Sequence, residues 1–316
     1  MAAKDKPNSL HLIRIYDAPV KMVWDAWADP EQAAQWWGPR GFTIKTHAKD
    51  LRAGGFWKYT MFGPDGTTWE NKTVYHEVEK HSRLVYDHGG GEDRPPLFQV
   101  TVTFEEVKGG KTKMEMTMTM PSPEALEQTK KIIKSANGNS TWDRLAEYLG
   151  DRNGEKDLFV INRSFEAPIA KVFEMWSKAE HLAKWLPPTG FSMNVVRGEL
   201  RPGSEIFYNM TDGKTTMWGK VKYLEISPVH LMRYTQEFSD EHGNMSRHPH
   251  APLWPETMLT NVRFESEGEN LTRVTVRWEP YGKATEAERA MFREARGGMT
   301  AGWTGSFDKL EAVLAK

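Results

Sequence analysis

Two arginines, Arg14 and Arg163, occupy matching places in alternating strand-like runs: Leu12 and Tyr16 lie two residues either side of the first, Ile161 and Phe165 of the second. Residues two apart on a strand share a face. Each guanidinium is therefore set among apolar neighbours, where its planar fork suits a carboxylate or phosphate head group. The commoner arrangement lays the stem along the core edge and pairs the head with a surface acid; the spacing leaves both open. A second set is apolar with polar edges. Trp57, Tyr59 and Met61 share one face, and Ile206, Tyr208 and Met210 repeat that parity. Phe98, Val100, Val102 and Phe104 alternate in the same way, as do Met114, Met116, Met118 and Met120 in the run MEMTMTM, with Val274, Val276 and Trp278 as counterparts. Any one of these is ordinary core. Together, thioethers and rings form a deformable wall suited to variable apolar shapes, and a tyrosine edge can orient a guest through one hydrogen bond.

Other chemistry is weaker. His242, His248 and His250, with Glu241 or Glu256, contain the donor types of a zinc site. Their spacing matches no strong signature, the first half has no counterpart, and Pro249 between two of them argues for a solvent-exposed loop, so no metal is expected. Glu79 and Glu225, and Glu105 and Glu265, recur, but the latter two oppose Phe104 and Phe264 in parity and read as solvated sheet surface. No GxSxG, Walker A, GxGxxG or HExxH pattern occurs, and no cofactor is expected. The absence of cysteine excludes disulfides and thiolate chemistry. Because 42 Lys and Arg balance 43 Asp and Glu, charge gives no case for a nucleic-acid or membrane-surface partner. The charged start and the lack of any apolar run of spanning length predict a cytoplasmic protein without membrane insertion.

The elements that must position these residues come in duplicate. RIYDAPVKMVWDAWADPEQAAQWWGPRGF, from Arg14, lies over RSFEAPIAKVFEMWSKAEHLAKWLPPTGF, from Arg163; further on, Phe104-Glu105 meets Phe264-Glu265 and Leu145 and Leu149 meet Leu310 and Leu314. Each copy reads as a strand (10–16; 158–165), an Ala-Pro helix start, a second short helix (31–36 in the first copy), several alternating strands and a long closing helix, 124–149 and 285–314. Gly150 to Asp157, polar and turn-prone, reads as a linker between domains 10–149 and 158–316, with a flexible stretch over 1–9. The second copy's extra length, Ser239 to Pro255, reads as a loop. Gly297, Gly298, Gly302 and Gly305 in the last helix either break it or leave space beneath it. Trp27 with Trp176, Trp36 with Trp185 and Trp69 with Trp218 read as paired scaffold, leaving Trp57, Trp278 and Trp303 where the copies differ.

The Ala-Pro helix, the WWGP and KWLPP helix ends, the GGFWKY turn-strand, the WPETMLTNVRF strand and the closing GWTGSFDKLEAVL helix resemble the heat-shock protein 90 ATPase activator-like family of the START and Bet v 1-like (SRPBCC) superfamily, over both copies. The resemblance implies an α+β helix-grip fold, twice over, with a curved antiparallel sheet gripping a long helix around an apolar cavity. The closing GW motif matches only in the second copy; the first carries NGNSTWDRLAEYL, so a role of Trp303 does not transfer to Asn137-Gly138. The function expected is non-enzymatic binding of a small apolar or amphipathic ligand in one or both cavities. The candidate site residues are Arg14, Trp57, Tyr59, Met61, Phe98, Met114, Met116, Met118, Arg163, Tyr208, Met210, Trp278 and Trp303. The competing readings are a co-chaperone-like module that contacts a chaperone ATPase and, third, a cyclase or hydrolase, for which no proton-transfer pair is evident.

Overall fold

A computed structural model of the chain describes residues 7–90, 94–136 and 138–316. The start of the stretch expected to be flexible, 1–6, and Asn137 lie outside the described residues. The chain divides into two compact units, Met1–Lys156 and Asp157–Lys316.

Unit 1 runs β1 (Ser9–Tyr16), α1 (Val20–Ala28), α2 (Pro30–Trp36), β2 (Thr43–Lys49), β3 (Phe56–Phe62), β4 (Thr68–Glu79), β5 (Arg83–Gly90), β6 (Phe98–Val107), β7 (Lys111–Thr119), α3 (Pro123–Ser135) and α4 (Ser140–Arg152). Its antiparallel sheet has the order β1-β7-β6-β5-β4-β3-β2. Unit 2 repeats the plan with β8 (Phe159–Phe165), α5 (Ile169–Ser177), α6 (Ala179–Trp185), β9 (Ser192–Gly198), β10 (Glu205–Thr211), β11 (Thr216–Ser227), β12 (Leu231–Ser239), β13 (Thr257–Gly268), β14 (Leu271–Pro280), α7 (Glu286–Glu294) and α8 (Arg296–Leu314), in the order β8-β14-β13-β12-β11-β10-β9. Each unit is the expected α+β helix-grip domain.

Local chemistry sets the boundaries. Pro19 and Pro168, extended at ψ 150° and 147°, sit at the N-caps of α1 and α5. Asp29 caps α2 by accepting from the Glu31 and Gln32 amides, with Pro30 opening the helix where no N–H is needed. The copies share anchoring bonds as well. Trp36 Nε1 donates to Ala26 O and Trp185 Nε1 to Met175 O, at 3.0 and 2.9 Å. Thr112 Oγ1 donates to Ala18 O and Thr272 Oγ1 to Ala167 O, at 2.7 and 2.8 Å. The indole bonds tie the two short helices to each other, and the threonine bonds tie β7 and β14 to the turns that lead into α1 and α5.

Several expectations need correction. Neither closing helix is continuous: α3 and α4 are separate, and α7, opened by a Thr285–Glu288 capping box, precedes α8. Helix α4 continues through Arg152, and Asp157 is held by Arg289 and Arg293 at 2.7 and 2.5 Å, which shortens the free connection. Trp69 and Trp218 are not equivalent. The β10–β11 turn is one residue shorter than the β3–β4 turn, since Thr211 pairs with Thr216 where Phe62 pairs with Thr68. A one-residue shift changes the face of every following side chain. Trp69 therefore pairs with Met61, 5.6 Å from the Phe42 ring and largely exposed, while Trp218 pairs with Asn209 and stacks on Phe207 at 5.1 Å. Trp303 does have a stand-in in unit 1. Trp142 stacks on Trp27 at 6.0 Å and 12°, as Trp303 stacks on Trp176 at 6.0 Å and 15°, although the Asp143/Asp308 alignment puts Trp142 opposite Phe307, one turn away.

Candidate functional site

Unit 2 contains a partly open cavity of about 300 Å³. Its sheet wall follows from register. Ile206, Val221 and Gln236 lie opposite one another across β10, β11 and β12, as do Tyr208, Gly219 and Phe238; Met210 faces Met217 and Tyr223 faces Tyr234. All but Gly219 are in the cavity lining. Trp278 closes one side, Leu186 and Pro188 one end, and Met299, Gly302, Trp303 and Ser306 of α8 the helical side. Helix α8 runs unbroken through its four glycines, and a Cβ at Gly302 would meet nothing within 4 Å. Gly302 leaves space beside the cavity instead of breaking the helix.

Among these lining residues there is no Lys, Arg, Asp or Glu. Tyr208, Tyr223 and Tyr234 supply hydroxyls. Burial pushes Tyr208 up to about 12 and the other two higher still, so all three remain protonated donors at neutral pH. Tyr234 stands across the ladder from Thr260, while the Tyr208 and Tyr223 hydroxyls make no hydrogen bond among the described residues. His248 reaches the cavity from the 239–256 insertion and packs edge-on against Phe238 at 4.7 Å. It is half-buried, which corrects the expectation of a solvated loop histidine. Its Nδ1 accepts the His250 amide at 3.0 Å, and burial followed by His250 lowers its basicity, so the neutral ring carries its proton on Nε2. Among the described residues no three His, Asp or Glu side chains converge to hold a metal.

The equivalent region of unit 1 is packed with indoles. Trp37 stands where unit 2 has Leu186, and Trp57 where it has Ile206. The Trp37 ring lies 5.2 Å from Trp57, 5.4 Å from Trp27 and 6.3 Å from His88, the counterpart of Gln236. Its Nε1 donates to Tyr59 Oη at 3.0 Å, so the tyrosine equivalent to Tyr208 is satisfied. The 37–42 loop is clamped by Arg144, which donates to the carbonyls of Gln35, Gly38, Pro39 and Phe42 at 2.8–3.0 Å, and by a bidentate Arg40–Glu147 pair at 2.6 and 2.8 Å. Burial, then Arg40, lowers Arg144 to about 10. In unit 2 the corresponding loop is held by Lys309 on Pro187 O and Ser306 Oγ on Leu186 O.

Of the residues singled out from sequence, Tyr208, Met210, Trp278 and Trp303 come together in the cavity lining. Trp57, Tyr59, Met114, Met116 and Met118 are buried in the unit 1 core, with Met61 and Phe98 partly buried against it. Arg163 turns away from the cavity, over the Phe307 ring and onto Asp308 at 2.6 Å, with Glu311 at 3.7 Å. Arg14 is buried and donates to Ile13 O at 2.7 Å. Glu265, read as solvated surface, accepts from Arg273, which is only 2 % exposed. Tyr223, Tyr234, Gln236 and Met217 went unread. Tyr75 and Tyr86, their tyrosine counterparts in unit 1, carry the signal that would have found the first two, since the pair recurs at ring distances of 6.0 and 5.6 Å.

No helix among the described residues is long and apolar enough to cross a membrane. No curated protein matches the chain. Among solved structures, single-domain likenesses include protein NE0264 from Nitrosomonas europaea (23% identity, 48% of this chain and 99% of that one, TM-score 0.43). Another is protein Ms6760 from Mycobacterium smegmatis (28%, 46% and 93%, TM-score 0.42). A likeness across both units is the di-domain ARO/CYC BexL from the BE-7585A biosynthetic pathway (14%, 98% and 99%, TM-score 0.38). The family model described as Activator of Hsp90 ATPase homolog 1-like protein matches residues 17–150 and again 166–315. With both helix-grip units matched, the chain belongs to the Activator of Hsp90 ATPase homolog 1-like family and carries its domain in tandem.

Proposed function

We infer that the protein binds a small, largely apolar ligand in the cavity of unit 2. The observation that carries this reading is the lining itself, where rings and thioethers face a space of about 300 Å³ at positions that unit 1 fills with Trp37 and Trp57. At ~24 cal/mol per Å³, an empty apolar space of this size corresponds to about 7 kcal/mol as an upper bound, because the mouth admits water. That is comparable to the whole stability of a domain. A fold whose other copy sets bulky indoles at two of the same positions keeps such a space for an occupant. Gly302, an exposed residue of the lining, and the weaker hold on the 186–188 loop supply a way in.

Native mass spectrometry of gently purified protein, followed by organic extraction, should recover a co-purifying apolar molecule or take one up from a panel of aromatic and aliphatic compounds. Empty preparations, together with tryptophan emission that no member of the panel shifts, would remove this reading.

A further inference from the structure

Deepening the binding reading above and resting on it, we propose that the unit 2 cavity selects uncharged aromatic ligands bearing a hydrogen-bonding oxygen, such as a ketone or phenol. It rejects the matching carboxylates; Tyr208 and Tyr223 read the oxygen, and Gly219 sets Tyr208 in place.

Charge comes first. A carboxylate entering this lining gives up its water and meets no cation, because no Lys or Arg lines the cavity. The repeat offers one candidate counter-ion, Arg163, and its head is engaged by Asp308. His248 is held toward its neutral form by burial. A neutral oxygen avoids that desolvation penalty, and it finds donors.

Those donors are the Tyr208 and Tyr223 hydroxyls, both in the cavity lining and both without a hydrogen-bond partner among the described residues. A hydroxyl that opens into a cavity and has no protein partner marks where a guest or a water supplies the bond. The contrast with unit 1 is specific. Tyr59 packs on Trp57 at 4.4 Å and accepts Trp37 Nε1, and Asn71 stands across the ladder from it. Across from Tyr208 stands Gly219, where a Cβ would fall 2.7 Å from Tyr208 Oη. The phenol thus lies over bare backbone, and Leu186, in the place of Trp37, offers no donor to satisfy it. Flat aromatic shape follows from the walls: the Trp176–Trp303 stack and Trp278 on one side, the thioethers of Met210, Met217 and Met232 on the other.

The test titrates the full-length protein calorimetrically with three similar probes: naphthalene, its methyl ketone and naphthoate, at about pH 8 where the acid is ionised. The ketone should bind about tenfold tighter than naphthoate and tighter than the hydrocarbon. Tyr208→Phe and Tyr223→Phe should each erase about three- to tenfold of the ketone's advantage over naphthalene while leaving naphthalene itself unchanged. Gly219→Ala, by displacing the phenol, should act as Tyr208→Phe does. Naphthoate binding as tightly as the ketone, or phenylalanine variants with undiminished ketone preference, overturns the proposal while the cavity reading survives. If none of the three probes binds while the extraction or the wider panel still finds an occupant, the proposal falls and the cavity reading stands; if those too are empty, both fall.

Discussion

Both units place a tyrosine, Tyr59 and Tyr208, at the same point of the same strand, and its hydroxyl is satisfied in one and unmatched in the other. The difference is built around the tyrosine, not in it. Unit 1 surrounds it with Trp37 and Trp57 and clamps the Trp37 loop with Arg144 and the Arg40–Glu147 pair. Unit 2 carries Leu186, Ile206 and Gly219 at the corresponding positions and holds its loop by single bonds. The shared bonds of Trp36 and Trp185, and of Thr112 and Thr272, show that the frame is common. Around this tyrosine one copy sets indoles and a clamped loop and the other a cavity, a division that a duplicated domain permits and a single one does not.

The comparison can be broken most severely by exchanging the interiors. Leu186→Trp with Ile206→Trp should fill the cavity and weaken binding of any apolar probe by at least about a hundredfold, equivalent to ~3 kcal/mol. The reverse exchange, Trp37→Leu with Trp57→Ile, should cost unit 1 about 5 kcal/mol, read by hydrogen exchange of its strands and by denaturant titration. If the filled variant still binds, the site lies elsewhere. Next in size is the clamp. Arg144→Met strips a buried donor from four loop carbonyls and should destabilise unit 1 by about 3 kcal/mol, whereas Lys309→Met should cost unit 2 only about 1 kcal/mol. Equal losses would deny the asymmetry.

A pH dependence sharpens the contrast further. Burial lowers His88 to about 4 from an ordinary 6.5. The unfolded chain therefore binds the extra proton first, and this contribution is complete above pH 6.5 and lost as pH falls through 4. The loss should reach roughly 1–3 kcal/mol in unit 1, and His88→Gln, which installs the residue of unit 2, should abolish that part of the slope. Smallest is Gly302→Ala. With no atom within 4 Å of its Cβ, it should stabilise α8 by about 0.5–1 kcal/mol and leave unit 1 protection unchanged. Loss of stability there would mean that the space beside Gly302 is already used.

The repeated Ala-Pro helix and the alternating strands made both domains and their helix-grip architecture legible, because periodicity and internal identity report buried faces directly. Four residues of the cavity lining, Tyr208, Met210, Trp278 and Trp303, were legible from strand parity or from the mismatch between copies. Tyr223 and Tyr234 escaped because the shorter hairpin moves their register against Tyr75 and Tyr86, so a fixed offset passes them by. Arg163 misled because parity gives the face of a Cβ, while the long stem carries the guanidinium to wherever an acid waits, here Asp308. His248 misled because loop composition does not reveal which segment folds back on Phe238.

The one-residue difference between the Gly63–Thr67 and Asp212–Thr215 turns reaches beyond these two rings. Substitution edits one side chain, whereas a deletion in a hairpin re-addresses a whole strand segment, giving aligned indoles different cross-strand partners, Met61 for Trp69 and Asn209 for Trp218, while the letters still align. Residue identity between duplicated halves thus overstates kinship of environment downstream of such a turn. For design, the shortest route to converting one interior into the other runs through the length of a connection as much as through the residues that line it.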